Sequence, residues 1–148
     1  MPSSIFRGPA EFLFIEDDPG EVRLFQEALR EVPLLVHLTA VPDGESALAL
    51  LRGQEPYASA LHPHLIFLSL KLPQLDGLAV IRAIKSDPQL RRTPVLVLTS
   101  SENPRDIVQS YEELANAYIL KPTDLDRYVR AVRTTVVFWL TVATLPPA

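Results

Sequence analysis

The residues that could do chemistry are few and lie far apart along the chain. Glu16-Asp17-Asp18 sets three carboxylates in a row, a source of the oxygen ligands of a metal site. The same triplet also reads as a solvated turn entering a helix, whose N-terminus favours negative charge. Ser69, Thr99-Ser100 and Lys121-Pro122 each follow a short apolar run directly. Ser69 is a candidate nucleophile, yet a serine hydroxyl is weak unless a base activates it. No Gly-x-Ser-x-Gly elbow surrounds it, and His62 and His64 precede the apolar run that Ser69 follows, which puts them at the other end of that element; His37 lies elsewhere again.

The elements that must position these groups are legible. Phe12 to Ile15, Leu65 to Leu68, Val95 to Leu98 and Ala117 to Leu120 are apolar at every position, as strands covered on both faces of a parallel sheet are. Val36 to Val41 is β-branched but carries His37 and Thr39, which predicts a less buried strand at a sheet edge. Helical spacing runs from Gly20 to Val32, where Pro33 ends it. Further helices are expected from Asp43 to about Arg52, from Gly77 to about Asp87, from about Asn103 to Leu114, and from an N-cap at Thr123 to about Leu140. Five strand–helix units in alternation predict a doubly wound, five-stranded parallel α/β sheet of order 2-1-3-4-5, with its functional crevice at the carboxyl ends of the strands. Glu16, Asp17, Asp18, Ser69, Thr99 and Lys121 all fall there.

Composition narrows the field of functions. At 148 residues the chain is about one domain, and 47% apolar residues supply its core. There is no cysteine, which fits a reducing compartment and removes thiol chemistry. A net charge of −4, with 14 Lys and Arg scattered against 18 Asp and Glu, argues against nucleic acid as a partner. Met1 to Pro9 lacks the apolar run of a secretory signal, and the most apolar stretch, Val136 to Leu145, is about half the length that spans a bilayer. A cytoplasmic protein with no membrane association is expected.

With these elements in place the sequence resembles response-regulator receiver domains of the CheY-like kind. The resemblance rests on Glu16-Asp17-Asp18, on Pro73-x-x-Asp76-Gly77, on Pro94 leading into Val95 to Ser100, and on Tyr118 three residues before Lys121-Pro122. It is closest to the stand-alone regulators of phytochrome-type histidine kinases, through Asp17 to Arg23, Ser110-Tyr111-Glu112 and the terminal Phe138 to Val142. It implies a (βα)5 flavodoxin-like receiver fold over 11–141, an N-terminal extension over 1–10 and a tail over 142–148. It also implies a non-enzymatic role in two-component phosphorelay signalling, with output expected through protein contacts or onward phosphotransfer because no effector domain follows. By the same likeness the acidic cluster holds Mg²⁺, Lys121 contacts the phosphoryl group, and Thr99 and Tyr118 form the switch. The Lys121–Pro122 bond is expected to be cis.

One position departs from the pattern. Where the family carries its acceptor aspartate, the chain reads Leu68-Ser69-Leu70-Lys71-Leu72-Pro73. Without that carboxylate the usual aspartyl phosphate is not expected, and Mg²⁺ should bind weakly or be lost. Lys121 is then expected to pair with Asp17. Lys71 occupies a family backbone-ligand position and is either a solvent-facing lysine or a surrogate cation for the acidic cluster. Thr99 and Tyr118 also read as a strand-end residue satisfying backbone and as ordinary half-buried packing. A natural pseudo-receiver, a phosphorylatable regulator captured as an Asp-to-Ser variant, a small hydrolase using Ser69 and a dimerisation module with a vestigial pocket all stay open. Val136 to Leu140 is apolar round the whole helix, so something must cover Phe138, Trp139 and Leu140; a homodimer through the fourth helix, Tyr118 on strand five and the last helix is expected.

Overall fold

A computed structural model describes residues 8–147; the part of the expected N-terminal extension at 1–7 lies outside the described residues. Five strands form one parallel sheet of order β2-β1-β3-β4-β5, as expected. They are β1 (Ala10–Ile15), β2 (Val36–Val41), β3 (Leu65–Leu68), β4 (Val95–Thr99) and β5 (Ala117–Leu120), separated by α1 (Pro19–Leu29), α2 (Gly44–Leu51), α3 (Gly77–Ser86) and α4 (Pro104–Glu112), with α5 (Leu125–Val137) last. Every residue of β1, β3 and β4 is buried, which is why these strands lack polar alternation. Phe12 pairs with Leu65 and Ile66 with Val95, so the order reverses at β1 and β3, and a crevice opens there.

The helices α1 and α5 pack together on one face, and α2, α3 and α4 cover the other. The first face is centred on aromatic rings: Phe25 of α1 lies 4.6 Å from Phe14 and 4.8 Å from Phe67 between centroids. Asp18, Asp43, Asp76, Asn103 and Asp124 cap the five helices, each accepting a hydrogen bond from a first-turn N–H. No helix among the described residues is long and apolar enough to cross a membrane.

Several boundaries differ from the expected ones. The first strand begins at Ala10, inside the presumed extension. α1 stops at Leu29 rather than Val32, because Pro33 disfavours helical backbone at its predecessor, and the chain closes in tight turns such as Val32 N–H to Leu29 C=O. α4 stops at Glu112 rather than Leu114, which sits at φ 74° in the left-handed region. The cap of α5 is Asp124, not Thr123; a carboxylate adds charge complementarity to the hydrogen bond it accepts from Arg127 N–H. α5 continues not as α-helix but as a π-helical turn, Phe138–Val142, closed by Ala143 N–H on Phe138 C=O. The tail beyond it is part of the core, since Leu145 is buried in the α1/α5 cluster.

Candidate functional site

The predicted site residues end up at the carboxyl ends of β1, β3, β4 and β5. Glu16 follows β1, is buried, and accepts a hydrogen bond from Asp18 N–H at 3.2 Å. Burial is the main cause of a Glu16 pKa above its ordinary value; Asp17 adds to the rise, while the Asp18 N–H and the Lys121 charge oppose it. Asp17 is exposed. Asp18, expected among metal ligands, accepts from Gly20 N–H at 2.8 Å through one carboxylate oxygen as the cap of α1. Its oxygen is therefore committed to the helix.

Ser69 follows β3 and is buried, its N–H held by Ile15 C=O at 3.0 Å. Gly77 explains the tight approach of the next turn: a Cβ there would stand 2.7 Å from Ser69 C=O and 2.7 Å from Leu70 Cα. The Ser69 hydroxyl has no hydrogen-bonded base among the described residues. The histidines lie at the other end of the sheet, where His64 Nδ1 accepts from Glu11 N–H and His62 Nε2 meets Thr93 Oγ1, each at 3.0 Å. Lys71 is exposed and makes no ion pair among the described residues.

Lys121 is where the geometry departs most from expectation. Its Nζ donates to Glu21 Oε2 at 3.0 Å, not to Asp17, and both side chains are largely withdrawn from water. A half-buried carboxylate is screened less than an exposed one, so Glu21 is the stronger partner. The Lys121–Pro122 bond is trans, contrary to expectation, because among the described residues the one cis peptide is Glu55–Pro56. Trans is the intrinsically favoured X–Pro isomer by about 0.5–1 kcal/mol. Next to the ion pair sits Tyr128 of α5, buried, its hydroxyl without a hydrogen-bond partner among the described residues. Burial first, then the carboxylates of Glu21 and Glu16, raise its pKa.

Thr99 and Tyr118 are joined through Ser101. Thr99 is buried and its hydroxyl accepts from Ser101 N–H at 3.2 Å, while the Tyr118 hydroxyl donates to Ser101 C=O at 2.8 Å. Burial is the main cause of a raised Tyr118 pKa. The Ser101 hydroxyl donates to Asp106 of α4, and Tyr118 N–H donates to the Tyr111 hydroxyl at 3.1 Å. Tyr118 is thus tied at both ends to α4 and the loop before it. Of the expected interface residues, Phe138 is exposed and Trp139 half-buried, in edge contact at 5.7 Å, but Leu140 is in the chain's own core. The π turn carries Leu140 inward.

Glu21, Tyr128, Ser101 and Asp106 were not singled out as site residues. Glu21 lies within the Asp17 to Arg23 segment, and its place near the acidic cluster is the available signal. Tyr128 is marked by helical spacing with Val132 and Val136, which reveals burial but not a stranded hydroxyl. As for a cation, no group of three or more carboxylates or histidines among the described residues is arranged to hold a metal. Glu16 and Asp17 remain as a two-carboxylate donor set of the hard-oxygen type that suits Mg²⁺, with the Ser69 hydroxyl as a neutral neighbour.

Comparison with known proteins agrees with this fold. The response regulator receiver domain model matches residues 12–133. The response regulator Rcp1 of Synechocystis sp. is 39% identical over 140 residues, covering 95% of this chain and 95% of that protein. The structure of the phosphorylated cyanobacterial phytochrome response regulator RcpA superposes with a TM-score of 0.90 at 41% identity, over 95% of this chain and all of that one (100%). The Mn²⁺-bound form of Rcp1 gives 0.88 at 39% identity, over 94% of this chain and 100% of that one.

Proposed function

The chain belongs to the response regulator receiver family, and from that premise we propose that it is a pseudo-receiver: it engages a phytochrome-type histidine kinase by binding and forms no aspartyl phosphate. Receiver domains are signalling modules, not enzymes, and those similar to Rcp1 bind divalent cations, Mn²⁺ being present in one such structure.

The observation that carries the proposal is Ser69 directly after β3, buried, with no hydrogen-bonded base on its hydroxyl among the described residues; the family resemblance supports reading it as the acceptor position. In the family's reaction a carboxylate oxygen attacks phosphorus, the bond from phosphorus to the histidine nitrogen breaks, and the imidazole leaves with the electron pair. Mg²⁺ would supply charge neutralisation on the phosphoryl oxygens there. A neutral hydroxyl must also lose its proton in that step, and no side chain among the described residues is hydrogen-bonded to Ser69 to take it. Glu16 and Asp17 would hold the cation, with one anionic ligand fewer than the family uses, so binding is weaker. Lys121 rests on Glu21, and Thr99, Ser101 and Tyr118 keep the connections of a switch that has no covalent trigger.

Partner and assembly follow from the same resemblance. The kinase is of the phytochrome type, a reading supported by the similarity to RcpA, a cyanobacterial phytochrome response regulator, and to AtBRR, a bacteriophytochrome response regulator. A homodimer is supported by an apolar hollow of about 530 Å³ between Pro33, Val137, Phe138 and Val142, rimmed by Arg130 and Arg133.

Intact mass after incubation with Mg²⁺ and a small acyl phosphate tests the central claim. Ser69→Asp is expected to gain one phosphoryl group and the native chain none; a phosphorylated native chain would overturn it. Light scattering of the native chain and of Trp139→Glu tests the dimer, and a native monomer or an unchanged mass in the variant removes it. Failure of the native chain to bind a phytochrome-type kinase by calorimetry removes the partner.

A further inference from the structure

Lys121 reaches toward the crevice from the carboxyl end of β5, where its own N–H donates to Thr99 C=O at 2.7 Å and fixes the backbone to the neighbouring strand. Beyond that anchor the ammonium hangs on a flexible four-carbon stem. Its partner Glu21 stands in the first turn of α1, a helix held at its start by the Asp18 cap and by Val22 N–H on Asp18 C=O. Two fixed backbones are thus joined by two side chains, at 3.0 Å. Opening that contact takes rotamer changes and no movement of the sheet.

Two features make the contact exchangeable. A carboxylate in the first turn of a helix is favoured by the helix N-terminus, so Glu21 keeps a source of positive potential when the lysine leaves. The Tyr128 hydroxyl, buried and without a hydrogen-bond partner among the described residues, is a spare donor beside it. The carboxylates of Glu21 and Glu16 both act on that hydroxyl, Glu21 the more strongly. The Lys121 charge also acts on Glu16 while the ammonium rests on Glu21, so Lys121 stays within electrostatic reach of the crevice.

We propose that Glu21 is a latch on Lys121: it holds the ammonium in reserve until a phosphoryl oxyanion enters the crevice, when Lys121 exchanges the carboxylate for the anion and Glu21 accepts instead from the Tyr128 hydroxyl. This rests on the receiver crevice proposed above. It makes Glu21 and Tyr128 positioning residues, which set the affinity for the anion through Lys121 without touching the anion. The exchange replaces one charge-assisted hydrogen bond by another and gives the stranded hydroxyl an acceptor, so the latched and open arrangements lie close in free energy. The anion must still displace a carboxylate, which lowers its apparent affinity.

The test is titration of the full chain with inorganic phosphate at fixed Mg²⁺, followed by NMR at the amides of Ser69, Thr99 and Lys121. Glu21→Gln is expected to bind phosphate about tenfold more tightly than the native chain, because the anion no longer competes with a carboxylate. Glu21→Asp keeps the charge on a shorter arm and should show most of the same gain. In a Lys121→Met background the gain from Glu21→Gln is expected to vanish, which separates a latch from simple loss of negative charge. Tyr128→Phe should weaken phosphate binding in the native background and leave it unchanged in Glu21→Gln. Equal affinities of the native chain and Glu21→Gln, or the same gain with and without the lysine, would overturn the latch. If phosphate moves those amides in no variant, the strand ends form no phosphoryl crevice and the latch falls too; a phosphorylated native chain in the mass experiment removes the pseudo-receiver and leaves the latch standing.

Discussion

Lys121 and Glu21, a hundred residues apart in the chain, meet with the lysine Nζ 3.0 Å from a carboxylate oxygen of Glu21. The pair joins the loop after β5 to the first turn of α1 and keeps the ammonium beside the crevice without an anion in it.

Glu21→Gln is expected to destabilise the protein by roughly 1–2 kcal/mol, as loss of a charged hydrogen bond in a partly buried place does. Urea unfolding of Glu21→Gln, Lys121→Met and the double variant checks it. A coupling near zero between the two positions would mean that the pair contributes nothing.

Mg²⁺ is expected to raise the thermal midpoint of the native chain less than that of Ser69→Asp at the same concentration, because the variant restores an anionic ligand and stabilisation grows with occupancy. Equal shifts would show that the cation does not sense position 69.

Tyr128→Phe is expected to be neutral or to stabilise by about 1 kcal/mol, since it removes a buried hydroxyl that has no partner among the described residues. Urea midpoints decide this. A loss of stability would mean that the hydroxyl finds a water or a carboxylate in solution.

Gly77→Ala is expected to cost roughly 1–3 kcal/mol, because the new methyl group meets backbone atoms of Ser69 and Leu70, which cannot swing aside. Denaturant unfolding measures the cost, and amide shifts at Ser69 and Leu70 should be the largest in the spectrum.

Stability is expected to fall as pH drops below about 6.5. His62 and His64 have folded pKa values lowered from 6.5, mainly by burial, so the unfolded chain takes up protons first. Their contribution is therefore present above the unfolded value and lost as pH falls through the folded ones. Urea midpoints between pH 7.5 and about 5 should decline, and His62→Gln with His64→Gln should flatten the slope in that window.

Much of this architecture was readable beforehand. Leu65 to Leu68 and Val95 to Leu98 announce buried parallel strands because neither face of the sheet is left to water, and right-handed crossovers then leave few orders for five units. Ser69, Thr99 and Lys121 follow as strand ends. What stayed hidden depends on side-chain direction and on competition between neighbours. Lys121 had several carboxylates within reach, and only burial of Glu21 against exposure of Asp17 decides between them. Asp18 looked like one carboxylate of three until the N–H of Gly20 claimed it. Composition does not distinguish a π turn from an α turn, so the fate of Leu140 was equally invisible.

That π turn also keeps α5 in register with what it covers. Val132, Val136 and Leu140 are spaced four residues apart, and in an α-helix each such step overshoots a full turn by about 40°. A seam written this way winds off the surface beneath it. The wider loop closed by Ala143 on Phe138 takes back part of that rotation, so Leu140 and then Leu145 return to the same core cluster while Phe138 faces water. The slack turn works like a vernier, and removing one residue from it would swing everything beyond out of alignment with the sheet.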